Sequence, residues 1–167
     1  MFSLVPDFYF KTFEDATVDF LKSQNIKGVI LDIDNTLEPY EHSVPGDHVI
    51  AWLESLNSCG IGAAFVSNNN DERVKIFNEN LKLPAFAKAR KPFKKNIKKA
   101  MDLIGSDESS TILIGDQIFT DVWAARNAKI KAMLVTPIND KKDMFTKFKR
   151  LLEKPILRKY RKRHKNG

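Results

Sequence analysis

Gly28-Val-Ile-Leu-Asp-Ile-Asp-Asn-Thr36 decides the fold of this chain. Val29 to Leu31 form a short, β-branched apolar run, the pattern of a buried strand. The run ends on Asp32 and, two residues on, Asp34. Open α/β sheets place their active sites at the carboxyl ends of such strands. In a regular strand residues i and i+2 share one face, so both acids would point the same way. Two like charges that close repel unless a cation or a shared proton compensates them. The stretch therefore predicts an acidic, metal-assisted site at one edge of a sheet.

The flanking sequence repeats the theme. Upstream, Thr12 and Asp15 form a capping pair, with Phe13, Ala16, Thr17, Phe20 and Leu21 at helical spacing behind them. Downstream, a loop from Leu37 to Pro45 leads into a helix carrying Val49, Ile50, Trp52, Leu53 and Leu56, which stops at Gly60. A second strand, Ile61 to Val66, ends in Ser67-Asn68-Asn69-Asn70, and a helix from about Asp71 to Asn80 follows. Leu83 to Ala87 reads as a short strand, 88–92 as a basic loop and Phe93 to Ile104 as a helix stopped by Gly105. Thr111 to Ile114 is a strongly apolar strand ending in Gly115-Asp116. A helix over about Thr120 to Asn127 and a strand from Ala132 to Val135 complete the series. Strands alternate with helices throughout, which predicts an α/β fold: a doubly wound parallel sheet covered on both faces.

In a parallel sheet these strand ends point to one edge. Asp32, Asp34 and Asp116 would meet there, with Asp121 five residues beyond Asp116. Ser67 closes a third strand, and Lys91 stands in the basic loop before Pro92. Carboxylates, a hydroxyl and an amine suit phosphoryl transfer, which needs mostly charge and position. Hard oxygen donors select Mg²⁺. One carboxylate can serve as nucleophile and form an acyl phosphate, and a second can move the proton. Each residue alone has a plainer reading, as a cap, a turn former or a solvated charge; the set argues otherwise.

Asp32-Ile-Asp-Asn-Thr-Leu37, Phe65-Val-Ser67-Asn68, Arg90-Lys91-Pro92 and Gly115-Asp116-Gln-Ile-Phe-Thr-Asp121 resemble, in order, the four motifs of haloacid dehalogenase-superfamily phosphatases. The resemblance covers about residues 26–138. It is nearest to the capless subfamily IIIA and its YqeG-type group, related to phosphatidylglycerophosphate phosphatases. Leu4-Val-Pro-Asp7 and the strand at Gly28–Leu37 support that narrower match. The resemblance implies a Rossmann-like single domain over residues 1–167. It makes Asp32 the nucleophile and Asp34 the general acid/base. Mg²⁺ would be held by Asp32, Asp116 and the Asp34 backbone carbonyl. Ser67, Asn68 and Lys91 would hold the phosphoryl group, and Asp121 would support the metal site or orient Lys91. Thr36 to Pro45, and Ser67 to Lys91, leave no room for a cap domain, so an open site is expected.

The charge is uneven. Residues 141–167 hold 12 Lys/Arg against 2 Asp/Glu, and the other 140 hold 16 against 19. A mildly acidic body thus carries a strongly basic end, including a tail at about 156–167, which suits anionic lipid or nucleic acid. Met144, Phe145, Phe148, Leu151 and Leu152 fall at helical spacing among lysines, in a helix expected to end at Pro155 and to pack on the core. Trp52 and Trp123 read as core, and His42 and His48 as surface residues. The single cysteine, Cys59, excludes an internal disulfide and reads as a core-edge residue. No apolar run approaches a membrane span, and the N-terminus lacks a secretory pattern. A cytoplasmic, membrane-peripheral phosphatase acting on phosphatidylglycerophosphate is the leading expectation. A soluble phosphatase for sugar phosphates, nucleotides or phosphoproteins, and an RNA- or ribosome-associated module, are the alternatives.

Overall fold

The computed structural model of the protein describes residues 3–139 and 144–165. Its sheet has six parallel strands: β1 (Phe8–Phe10), β2 (Gly28–Leu31), β3 (Gly62–Val66), β4 (Ala85–Phe86), β5 (Thr111–Gly115) and β6 (Lys131–Val135). Their spatial order is β1-β6-β5-β2-β3-β4. From β2 the chain steps outward through β3 and β4, then returns to the other side of β2 to lay down β5 and β6. The order reverses between β2 and β5, and open α/β sheets leave a ligand crevice at such a point. Asp32 follows one of these strands and Asp116 the other.

Strand alternation builds two cores. Val29, Leu31, Phe65, Ile112 and Ile114 face one layer. It is covered by α1 (Val18–Ser23), α2 (Asp47–Ser58) and α3 (Asp71–Asn78), through Leu21, Trp52, Leu56 and Phe77. Ile30, Ala64, Val66, Leu113 and Leu134 face the other. There α4 (Lys95–Ile104) and α5 (Trp123–Ala128) contribute Ile97, Ala100, Met101, Ala124 and Ala128. The central strand β2 is buried along its whole length, which explains why its sequence is a continuous apolar run rather than an alternating one. Among the described residues no cap domain interrupts the sheet: one loop links β2 to α2, and only α3 and β4 lie between Ser67 and Lys91.

Several boundaries differ from the expectations. β1 is a three-residue edge strand in a segment expected to be merely aromatic; Phe8 and Phe10 stack edge-on against Phe20. The expected N-terminal helix divides into a 3₁₀ turn, Phe13–Asp15, and α1, because Thr17 acts as a second cap and accepts from the Phe20 N–H. Before α5 the chain makes a π turn, Ile118–Val122. Trp123 and Cys59 are exposed, not core or core-edge.

The largest correction concerns α6 (Met144–Lys165). Pro155 lies inside this helix and does not end it. Proline removes one N–H bond and crowds the preceding turn, but α6 is held on both sides of it. Glu153 is buried and accepts from the Ile118 N–H at 3.3 Å. Ile156 and Leu157 pack on the second core, and the Tyr160 hydroxyl accepts from the Tyr9 N–H of edge strand β1 at 2.9 Å. Residues 156–160 are thus docked structure, not part of a free tail. Residues 141–143, at the start of the expected basic segment, lie outside the described residues. Tyr160→Phe is expected to lower the urea midpoint by an amount equivalent to about 0.5–1.5 kcal/mol, the usual worth of one hydrogen bond. An unchanged midpoint would mean that the edge of β1 does not depend on α6.

Candidate active site

β2 carries Asp32 to the sheet edge, where its N–H bonds to the Ile114 carbonyl of β5. The chain then turns sharply. Asn35 takes a left-handed conformation (φ 61°), tolerated best by Gly, Asn and Asp, and the Asn35 and Glu38 backbones pair at 2.7 Å. This turn returns the Thr36 hydroxyl to within 3.2 Å of Asp32 Oδ2 and 3.3 Å of Asp116 Oδ1, where it bridges the acids ending β2 and β5.

Lys91 is the hub. Its Nζ donates to Asp32 Oδ1 at 2.8 Å and to Asp121 Oδ1 at 2.6 Å. The lysine side chain is only 2% exposed. Asn68 clamps the Lys91 backbone from both sides: its Oδ1 accepts from the Lys91 N–H at 2.7 Å and its Nδ2 donates to the Lys91 carbonyl at 3.2 Å. The Asn68 side chain therefore serves the lysine directly. Ser67 is buried and accepts from the Asn69 N–H at 3.1 Å, at the mouth of the same cavity.

Asp121 reaches the cluster by way of the π turn and lies against Gly115. A β-carbon at Gly115 would fall 2.2 Å from Asp121 Cγ, so the strand end has to be glycine for this carboxylate to fit. Its other oxygen accepts from the Gln117 N–H at 3.1 Å. Asp32, Asp116 and Asp121 are all buried, and each offers an oxygen within 4.8 Å of the others. The sequence brought together Asp32, Asp116, Asp121, Ser67 and Lys91, and they do converge.

Asp34 lines the same cavity but is held by other partners than Lys91. Arg73 of α3 holds its Oδ1 through Nε at 3.0 Å and Nη2 at 2.9 Å, while Asn69 donates to its Oδ2 at 2.9 Å. The Arg73 guanidinium also lies over the Phe77 ring. Arg73, Asn69 and Thr36 join the site in the structure without having been expected from the sequence. Thr36 sits inside the first motif and Asn69 directly follows the second, so both carry a sequence signal; Arg73 is an ordinary charged residue of a polar helix until α3 packs. Also unexpected are Lys149 and Arg150 of α6. They line the cavity with Asp32, Asp34 and Asp116, and Arg150 donates to the Asp116 carbonyl at 3.2 Å. His42 and His48 are exposed as expected, and both face the buried Glu38, at 3.0 and 3.6 Å.

The electrostatics show a shortage of positive charge. Burial pushes the Asp32 carboxyl up to about 6, against the pull of Lys91, and the Asp121 and Asp34 carboxylates add to the rise. Burial, Asp32 and Asp121 hold Asp116 well above the usual carboxylate range, with partial relief from Arg150 and Lys91. For Lys91, burial opposes its charge, but Asp121 and Asp32 outweigh that and raise it well above its ordinary value. Three buried hard-oxygen donors, incompletely neutralised, fit a small divalent cation.

Comparison with known proteins agrees with this geometry. The profile of the haloacid dehalogenase-like hydrolase family matches residues 9–135. The chain is 36% identical over 153 residues to the probable phosphatase YqeG of Bacillus subtilis, covering 92% of this chain and 89% of that one. Among solved structures, the cobalt-bound deoxy-D-mannose-octulosonate 8-phosphate phosphatase of Haemophilus influenzae superposes with a TM-score of 0.52 at 18% identity, over 70% of this chain and 81% of that chain. The corresponding Moraxella catarrhalis enzyme, in complex with magnesium, phosphate and sugar, gives 0.54 at 17% identity, over 73% and 76%. At these identities the two structures share the fold.

The raised Asp32 value sets a pH test. Without metal, the folded protein keeps a proton on Asp32 up to about pH 6, whereas the unfolded chain loses it near 3.8. The folded state then binds more protons, so metal-free stability falls as pH rises through this window. Metal ligation requires the carboxylate and releases that proton. The rise in melting temperature on adding Mg²⁺ is expected to be small near pH 5 and to grow as pH passes about 6. A Mg²⁺ shift independent of pH across that range would contradict the described charge balance.

Proposed function

Because this chain belongs to the haloacid dehalogenase-like hydrolases and is a phosphatase, we propose that its reaction runs through a phosphoryl group carried on Asp32, with Mg²⁺ as cofactor. The observation that carries this reading is the buried Lys91 ammonium shared between Asp32 and Asp121, with Asp116 completing the carboxylate cluster.

In the first step an Asp32 oxygen attacks phosphorus and the ester P–O bond breaks. Asp34 gives a proton to the leaving oxygen. In the second step Asp34 takes a proton from water as the water oxygen attacks the phosphorus of the acyl phosphate, releasing inorganic phosphate and restoring Asp32. Lys91 and Ser67 hold the phosphoryl oxygens, and the backbone at Asn68 can donate there while its side chain fixes Lys91. Asp121 orients Lys91. Arg73 and Asn69 are positioning residues, fixing the Asp34 carboxyl beside the cavity. Asp32, Asp116 and the Asp34 backbone carbonyl would hold Mg²⁺. When bound, the cation neutralises charge on the phosphoryl oxygens.

The favoured substrate is phosphatidylglycerophosphate, presented at a membrane face. Two points support it: the similarity to the YqeG-type phosphatases, and a cavity that no cap domain covers. No helix among the described residues is long and apolar enough to cross a membrane, so contact with lipid would be peripheral, through the basic C-terminal part of the chain. The carboxylate cluster weighs against a purely RNA-binding module, which would have no use for it.

Asp32→Asn is expected to abolish hydrolysis with the fold retained, since an amide is a poor nucleophile and a poor Mg²⁺ ligand. Asp34→Asn is expected to slow turnover by about 10²–10⁴-fold, more for an alkyl phosphate than for nitrophenyl phosphate, whose leaving group needs little protonation. Equal losses on both substrates would remove Asp34 from the acid role. A substrate panel separates the substrate readings: preference for a sugar phosphate, nucleotide or phosphoprotein over phosphatidylglycerophosphate would displace the lipid.

A further inference from the structure

Helix α6 has two unlike faces. One is built into the protein by Glu153, Ile156, Leu157 and Tyr160, and lines the catalytic cavity through Thr146, Lys149 and Arg150. The other presents Met144, Phe145, Phe148, Leu151 and Leu152 to solvent, at 86, 74, 60, 56 and 46% exposure. These five fall at i, i+1, i+4, i+7 and i+8, a single stripe. The helix therefore does not use its apolar stripe to pack on the core, as the sequence suggested; it packs with the opposite side. A contiguous row of large apolar side chains beside a catalytic cavity marks an interaction surface.

The charge along the same face identifies the occupant. Eleven residues make about three helical turns, so Lys159, Lys162 and Arg163 continue the line of Phe148, Leu151 and Leu152, and all three are exposed. Lys147 and Lys154 flank the stripe, also exposed. Of the residues of α6, ten are Lys or Arg and one, Glu153, is acidic and buried. A second copy docked face to face would set these cations against their own kind. RNA would satisfy the cations but leave the apolar row in water. An anionic bilayer offers both parts: headgroup phosphates for the lysines and arginines, and the acyl boundary for the phenylalanines and leucines.

We propose that the outer face of α6 docks on an anionic lipid surface and so holds the catalytic cavity, lined by the inner face of the same helix, close to it. The purpose of this docking rests on the lipid-phosphate reading above; the binding itself does not. A helix with its side chains is about 10–12 Å across, so docking by the outer face places the cavity lined by the inner face about one helix diameter from the lipid surface.

The test is co-sedimentation of the full chain with vesicles of phosphatidylcholine alone and of phosphatidylcholine mixed with phosphatidylglycerol. Wild type is expected to bind only the mixed vesicles, and less as salt rises, because screening acts over roughly 10 Å at 0.1 M. The double variant Phe148→Ser, Leu151→Ser removes two large apolar groups, each worth more than a factor of ten on burial, and is expected to lower partitioning by at least about tenfold. Both side chains are exposed, so its melting temperature and its hydrolysis of soluble nitrophenyl phosphate should match wild type. Equal vesicle binding by wild type and variant would overturn the proposal. So would absence of wild-type binding, or a stripe that instead supports self-association or RNA binding lost in the variant. With phosphatidylglycerophosphate added to the mixed vesicles, binding without hydrolysis of that lipid would leave the docking face standing and defeat the substrate reading. Hydrolysis of that lipid unaffected by the variant would do the reverse.

Discussion

The Lys91 ammonium lies 2.8 Å from Asp32 and 2.6 Å from Asp121 at almost no exposure to water. An ion there is tolerable only while its partners face it; removing one would leave an uncompensated buried charge. Much of the sheet's upper edge follows from keeping that arrangement. Asn68 grips the lysine backbone, the Thr36 hydroxyl bridges Asp32 and Asp116, and Gly115 gives up its side chain so that Asp121 can lie against the strand. The parallel topology makes the arrangement possible, because β2 and β5 are neighbours whose carboxyl ends open on one crevice. Three buried carboxylates exceed the positive charge set among them, and that imbalance is what a divalent cation and a phosphoryl group would resolve together. Binding, metal affinity and local stability are therefore linked through one small set of charges.

The central part of this arrangement is legible in the sequence because it obeys short-range rules. A fully buried parallel strand has to be apolar throughout, so Val29 to Leu31 announce β2, and the acids that follow fall at the ligand edge. Thr111 to Gly115 announce β5 in the same way. Where the rules need three-dimensional information, reading fails. β1 is three residues long and pairs on one side only, too short for a period. Arg73 acquires its role only when α3 lays it beside Asp34. Most instructive is α6: helical spacing reveals an apolar stripe, but spacing does not say which side of a helix faces the protein. Proline at 155 looked like a terminus because its local cost is plain, while the contacts on either side that outweigh it are distant in sequence.

With no cap domain among the described residues, α6 borders an uncovered cavity. This C-terminal helix lines the cavity through Thr146, Lys149 and Arg150, beside the ends of β2, β3 and β5. Arg150 contacts Asp116 from one side of it, and the phenylalanines and leucines stand on the other. One helix thus joins the charge network of the site to the outer surface of the protein.

The central claim is that Asp32 carries the phosphoryl group. Its most direct test is chemical trapping during turnover with nitrophenyl phosphate and Mg²⁺: acid quench, borohydride reduction of any acyl phosphate, and peptide mass spectrometry. Reduction converts an aspartyl phosphate to homoserine. The account predicts substrate-dependent homoserine at position 32 alone. Active enzyme that yields no such residue, or yields it at position 34 or 116, would contradict it.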